Sequence, residues 1–158
     1  MKKLALIFCT LASLIMPTLA LADPTTEAEA NEFRAILAKG LREVYVDQLD
    51  LSEAEGQKFW PVYDAYAAAT KEHNDKLLAL IKRYAAAYNA GPVDEATAKA
   101  LMNDALALDR AECKLRDDTM KKAMKALPAT KAAMFFQIDN KVRATLRFDL
   151  ALQIPLIE

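Results

Sequence analysis

The sequence predicts an all-α protein of four long helices, arranged as two antiparallel hairpins in an elongated molecule. The chain has only three glycines in 158 residues, and alanine, leucine, lysine and glutamate, which are strong helix formers, dominate its composition. Apolar residues recur at helical spacing over long stretches. The stretches are separated by short connections, which favour antiparallel neighbours. No stretch has the alternating pattern of a β-strand.

The N-terminus has the features of a secretory signal peptide. A positively charged start precedes an apolar run, Leu4–Met16, and the small residues Ala20 and Ala22 have the spacing that a signal peptidase recognises. We therefore predict a signal peptide over residues 1–22, cleaved after Ala22, and one exported domain over 23–158. The apolar run is shorter than the ~20 residues that span a bilayer. We expect no stable membrane span after processing.

The charge balance argues against a nucleic-acid-binding protein. The formal net charge is −1, and it becomes more negative once Lys2 and Lys3 are removed with the signal peptide. A nucleic-acid interface needs a concentrated basic face, and none is present.

The first helix is predicted from about Thr26 to Gln48. Thr26 and Glu29 have the spacing of a capping box, and a single stripe of mostly apolar residues follows at helical spacing: Phe33, Leu37, Leu41, Val44 and Gln48. The connection to the next helix is only Leu49–Leu51.

The second helix is predicted to begin at Ser52 and to run to about Tyr88. Ser52 and Glu55 form a second capping box, and the following residues place aromatic side chains on one face: Phe59, Val62, Tyr63 and Tyr66. Pro61 lies inside this helix, where it lacks an amide hydrogen and costs about 3 kcal/mol unless packing offsets it. We expect a kink beside Trp60.

The third helix is predicted from the N-cap Asp94 to about Ala126. The fourth is predicted from Pro128, acceptable in a first helical turn, to about Gln153, with Pro155 beyond its end. Its apolar stripe is Phe135, Ile138, Val142, Leu146 and Leu150. Opposite charges four residues apart predict surface ion pairs within the helices: Asp117/Lys121, Asp118/Lys122 and Asp139/Arg143.

Two short segments resemble a known family. Leu51, Ser52 and Glu55 form a Leu-Ser-x-x-Glu string that resembles the Leu-Thr-x-x-Gln motif of the Spy/CpxP family of bacterial periplasmic stress proteins. The aromatic string that follows, Phe59-Trp60-Pro61-Val62-Tyr63, resembles one branch of that family.

A second, looser copy of the motif is Leu127-Pro128-Ala129-Thr130-Lys131, where the family repeats its motif before another helix. Neither copy has the family's glutamine, because Glu55 and Lys131 occupy those positions. The resemblance implies a curved helical-hairpin homodimer in the Gram-negative periplasm, which shields unfolded or stress-damaged proteins without ATP.

Two apolar rows follow the third helix. Leu101, Ala105, Leu108 and Leu115 form the row expected to pack on the second helix. The other is the Met row, which we define as Met102, Leu106, Cys113, Met120 and Met124; Asp109 and Asp117 interrupt it. Either both rows belong to the core, or the Met row is partly exposed and binds unfolded proteins. The second interpretation makes a candidate client-binding surface of Met102, Leu106, Arg116, Met120, Lys121 and Met124.

The remaining chemistry-bearing residues are few. Cys113 is the only cysteine outside the signal peptide, and we expect it to be buried or to lie at an interface. His73 is the only histidine, which is too few for a firm metal site without other donors. No sequence feature brings a nucleophile and a base together, and no glycine-rich phosphate loop is present, so we predict no catalytic residues, no cofactor and no metal.

Two functions follow as hypotheses. The first is an ATP-independent periplasmic chaperone that binds unfolded or misfolded envelope proteins, working as a homodimer. The alternative is a regulatory protein that docks on the periplasmic domain of a membrane sensor; a metal sensor is a weaker third possibility.

Overall fold

The computed structural model describes residues 40–157, and every described element is helical. The first helix, α1, spans 40–49 in its described part. It is followed by α2 (Glu53–Asn89), α3 (Glu95–Ala126) and α4 (Ala129–Gln153). The predicted all-α class is confirmed. The signal peptide, the Thr26 cap and the N-terminal part of the predicted first helix lie outside the described residues.

The helix ends follow from local sequence. Ser52 caps α2 through the predicted capping box. Asp94 caps α3, because its Oδ1 accepts hydrogen bonds from the amides of Ala96 and Thr97, both at 2.9 Å. Gly91, after the end of α2, has a φ of +127°, a conformation that side-chain-bearing residues rarely adopt. These interactions span four residues or fewer, so the sequence alone predicts them.

The start of α4 differs from the predicted start, Pro128, by one residue. Pro128 is the N-cap of α4, with an extended ψ of 146°, and the helix begins at Ala129. Leu127 is the C-cap of α3, so only two residues connect the two helices. Pro61 lies inside α2, which continues through it as one helix.

The core is an aromatic cluster shared by α1, α2 and α4. Phe135 lies at its centre and is fully buried. Its ring meets those of Tyr45, Phe59 and Tyr66 edge to face, with centroids 5.2, 5.1 and 6.1 Å away. Such pairs add about 0.5–1.5 kcal/mol each to the stabilisation from area burial. Leu49, Tyr63, Ala123, Leu127, Ala132 and Ile138 complete the cluster.

The predicted aromatic face of α2 is confirmed at Phe59, Tyr63 and Tyr66, which are buried. Tyr45 and Leu49 of α1 are also in the core, and the predicted stripe of the first helix omitted both. Beyond Tyr66 no described residue of α2 is buried. The distal half of α2 packs on α3 through half-buried side chains and the ion pair from Arg83 Nη1 to Asp104 Oδ2, at 2.6 Å. Packing is therefore densest around the two motif segments.

Candidate functional site

The Met row is largely exposed in the described chain. Met102, Leu106 and Met124 are 58, 46 and 61 % exposed, and Cys113 between them is also exposed. The row expected to pack on α2 contains the buried Leu101 and the half-buried Leu108 and Leu115, although Ala105 is exposed. The interpretation in which the whole Met row belongs to the core is therefore wrong for this chain.

Met120 departs from the rest of the row. It is half-buried and packs against the core cluster. On a helix it lies one turn from Met124 and from Arg116, and Arg116 is bound by Asp139 of α4. Met120 is thus a packing residue. The other members of the row are exposed: Met102, Leu106, Cys113 and Met124.

Arg116 also differs from the expectation of an exposed charge. Its side chain is 15 % exposed, and its Nε donates to Asp139 Oδ2 at 2.9 Å. Its guanidinium carbon lies 5.3 Å from the centre of the Phe136 ring. The positive charge is therefore compensated inside the protein, so Arg116 is withdrawn from the candidate client-binding surface.

Lys121 remains at the surface. Its ammonium donates to Asp117 Oδ2 at 2.5 Å, the ion pair that the sequence predicted, and both side chains are about 60 % exposed. That hydrogen bond raises the pKa of Lys121. An exposed pair of this kind is easily exchanged for another partner, so Lys121 stays available beside the Met row.

Cys113 carries a free, exposed thiol. The expectation that it is buried is wrong within the described chain, and the alternative of an interface thiol remains a prediction. The nearby acidic residues, Asp109 and Glu112, are both engaged by Arg147.

The capping box of the first motif has the predicted geometry. The amide of Ser52 donates to Glu55 Oε2 at 2.8 Å, and the amide of Glu55 donates to Ser52 Oγ at 3.4 Å. Phe59 belongs to the core, and Leu51 and Trp60 pack against it. The motif therefore fixes the start of α2 and directs its aromatic side chains.

An ion pair joins the two motif segments, and its partners, Glu55 and Lys131, are the residues that replace the family's glutamine. Lys131 Nζ donates to Glu55 Oε2 at 2.8 Å and to the carbonyl oxygen of Asp50 at 2.6 Å. The hydrogen bond from Lys131, with that from Ser52, lowers the pKa of Glu55. Sequence analysis did not identify this pair. The signal that could have found it is the opposite charge at the two equivalent motif positions.

A buried polar triad links α2, α3 and α4. Tyr66 Oη donates to Asp139 Oδ1 at 2.6 Å, while Arg116 Nε binds the other carboxylate oxygen. Asp139 is buried, and both its oxygens are satisfied. The predicted helix-surface pair Asp139/Arg143 is therefore wrong.

Arg143 instead binds across to α3. Its Nε donates to Glu112 Oε1 at 2.7 Å, and Arg147 donates to Glu112 Oε2 at 2.5 Å and to Asp109 Oδ1 at 2.8 Å. Burial raises the pKa of Glu112, but the hydrogen bonds from Arg143 and Arg147 outweigh it and lower the pKa to about 2. Asp118 likewise pairs with Lys114 and not, as predicted, with Lys122.

Further apolar side chains are exposed on α4 and beyond its end. Phe148 and Leu152 are the most exposed large apolar residues within the helix. Leu146, a member of the predicted apolar stripe, is also exposed. Phe135, Ile138 and Val142 of that stripe pack in or against the core. Beyond Val142, the ion pairs of Arg143 and Arg147 with Glu112 and Asp109 join α4 to α3.

Residues 40–157 contain no group of three or more histidine, cysteine or acidic side chains that could hold a metal ion. His73 is half-buried in the middle of α2. None of the helices in this part of the chain combines the length and hydropathy needed to cross a bilayer.

Comparison of this chain with known protein families, with curated proteins and with solved structures finds no match. The likeness to the Spy/CpxP family therefore rests on the residues of the two motif segments.

Proposed function

We propose that this protein is an ATP-independent chaperone of the Gram-negative periplasm, similar to the Spy/CpxP family, that holds unfolded or misfolded envelope proteins. The observation that carries the proposal is the exposure of Met102, Leu106 and Met124 along one side of α3. Aligned apolar side chains that the chain's own fold leaves uncovered favour a partner.

The chemistry of this side of α3 suits many different clients. Methionine is unbranched and polarizable, so its side chain adapts to apolar groups of varied shape. Exposed charges lie beside it, among them Lys121, Asp117 and Arg110. Such charges keep the surface soluble and can bind oppositely charged segments of an unfolded chain. Binding of this kind needs no nucleotide.

An elongated arrangement of antiparallel hairpins is part of the proposal. From Asp139 to Arg147 along α4, the ion-pair partners on α3 run backwards from Arg116 through Glu112 to Asp109, which supports antiparallel packing. A homodimer is proposed as well, since exposed apolar residues on α4, such as Phe148 and Leu152, would be covered by a second chain.

The test is light scattering of a chemically unfolded model protein, diluted with and without the purified exported protein. We expect suppressed aggregation at near-stoichiometric ratios in the absence of ATP. The double variant Met102→Ser/Met124→Ser should lose most of the suppression while its helical circular dichroism and unfolding midpoint stay unchanged. Met120→Ser is the matched control, because it should lower stability instead.

The alternative is a regulatory protein that docks on a membrane sensor. A folded, helical protein that leaves aggregation unchanged would refute the chaperone proposal and favour this alternative. A saturable complex with one folded partner would then be expected in a pull-down from envelope extract.

A further inference from the structure

We propose that the groove beside Trp60 binds an extended polypeptide segment in which an apolar side chain adjoins a lysine or arginine. The groove has a volume of about 630 Å³ and lies between α1 and the first turns of α2. Its apolar lining is Val46, Leu51, Trp60 and Pro61. It involves no residue of the Met row and does not depend on the chaperone proposal.

Contacts within the protein already hold the Trp60 ring, the aromatic side of the groove, in place without a ligand. The guanidinium of Arg42 lies 4.4 Å from the centre of the Trp60 ring, and Tyr63 meets that ring edge to face at 5.7 Å. Gly56 allows the indole to lie against the helix, since a Cβ there would be 3.1 Å from Trp60 Nε1. A wall that is already ordered reduces the entropy cost of binding.

Pro61 leaves a backbone carbonyl without its helical donor in a residue that lines the groove. Because proline has no amide hydrogen, the carbonyl of Gln57, four residues earlier, lacks its usual helical donor. Gln57 also lines the groove. Pro61 itself is exposed, so burial of its ring does not offset the cost of a proline inside a helix. A ligand amide or ammonium group can supply the missing donor.

The charges at the groove select a basic ligand. Arg42 forms an ion pair with Asp64, so its positive charge is compensated. Glu53 also lines the groove, and among residues 40–157 it has no ion-pair partner. Asp64 lines the groove as well, so the lining carries two carboxylates and one guanidinium. An anionic ligand would therefore be repelled, whereas a lysine or arginine would be attracted.

The fluorescence of Trp60, the only tryptophan in the chain, reports on the groove directly. The exported protein is titrated with the capped peptide Lys-Leu-Lys-Phe-Lys and, separately, with its acidic counterpart Glu-Leu-Glu-Phe-Glu. We expect a saturable shift of the emission with the basic peptide, weakened by salt, and no shift with the acidic one. Absence of a saturable shift at about 1 mM basic peptide, or equal binding of both peptides, would overturn the proposal.

Three variants locate the binding. Glu53→Gln should weaken it about threefold, the effect of one exposed ion pair. Glu95→Gln, the matched change at the first residue of α3, should leave it unchanged, and equal losses in both would contradict a role for the groove. Pro61→Ala should weaken binding while raising the unfolding midpoint; a lowered midpoint would assign Pro61 to packing.

The same titration separates this site from the Met row. Met102→Ser/Met124→Ser should bind the peptide as the unmodified protein does. A loss of the Trp60 signal in that variant would show that the peptide binds on α3 and would overturn the groove assignment. Suppression of aggregation without peptide binding would retain the chaperone proposal and reject this one.

Discussion

Replacing Asp139 with asparagine removes one charge from the buried triad without changing the shape of the side chain. The amide oxygen can still accept the hydrogen bond from Tyr66, but Arg116 loses its counter-ion. The side chains of Asp139 and Arg116 are only 6 and 15 % exposed, so water replaces the lost partner only in part. Breaking a buried pair on one side costs about 3–5 kcal/mol.

Urea unfolding followed by circular dichroism at 222 nm measures this loss. With a slope of about 2 kcal/mol per molar urea, a loss of 3 kcal/mol lowers the midpoint by about 1.5 M. The reciprocal variant Arg116→Met should lose a similar amount, because it leaves Asp139 unpaired. The control Tyr66→Phe removes only one hydrogen-bond donor and should cost about 1–2 kcal/mol.

The double variant Asp139→Asn/Arg116→Met decides the argument. Because neither charge is then left unpaired, its loss should be smaller than the sum of the two single losses by about 2 kcal/mol. Additive losses, or a loss below 1 kcal/mol in Asp139→Asn, would show that the pair is solvated and that the contacts between α4 and the other helices have another basis.

Three further predictions concern the core, the cap and the dependence on pH. Phe135→Ala should cost about 3–5 kcal/mol, because it leaves a cavity among three aromatic rings; a loss near 1 kcal/mol in urea unfolding would mean that the cluster collapses around the gap. Ser52→Ala should cost about 1 kcal/mol through the lost cap, with aggregation suppression retained; activity lost at unchanged stability would assign the motif a direct role. Glu112 has a folded-state pKa of about 2, below its ordinary value, so its contribution to stability is present above about pH 4.5. That contribution is lost as the pH falls toward 2, and Glu112→Gln should flatten the dependence of the unfolding midpoint on pH over this range; an unchanged slope would contradict the assignment.

The helices could be predicted closely because their signals are local. The caps at Ser52 and Asp94 act over two or three residues, and Gly91 and Pro128 act on their own backbone and its neighbours. The aromatic face of α2 follows from helical spacing alone. The bounds of α2, α3 and α4 therefore differ from their predicted bounds by one residue or less.

The candidate surface could be predicted only in part. Helical spacing places Met102, Leu106 and Met124 on one side of α3, but it does not say whether another helix covers that side. The packing of the helices decides this: Met120 packs against the core cluster, Arg116 is bound by Asp139 of α4, and the others stay exposed. The same spacing cannot say that Cys113 is exposed.

By itself the sequence determined the all-helical class, the helix bounds and caps, and the segments that resemble the Spy/CpxP family. Only the tertiary structure decided which polar side chains meet between helices, whereas helical spacing alone predicted the pair Asp117/Lys121. Glu55 and Lys131 are 76 residues apart in sequence, and Tyr66 and Asp139 are 73 apart. A helix presents several charged side chains at each turn, and a partner four residues away competes with one on a neighbouring helix. The pairs between helices therefore depend on how the helices pack, and this packing depends on the side chains of the whole aromatic core.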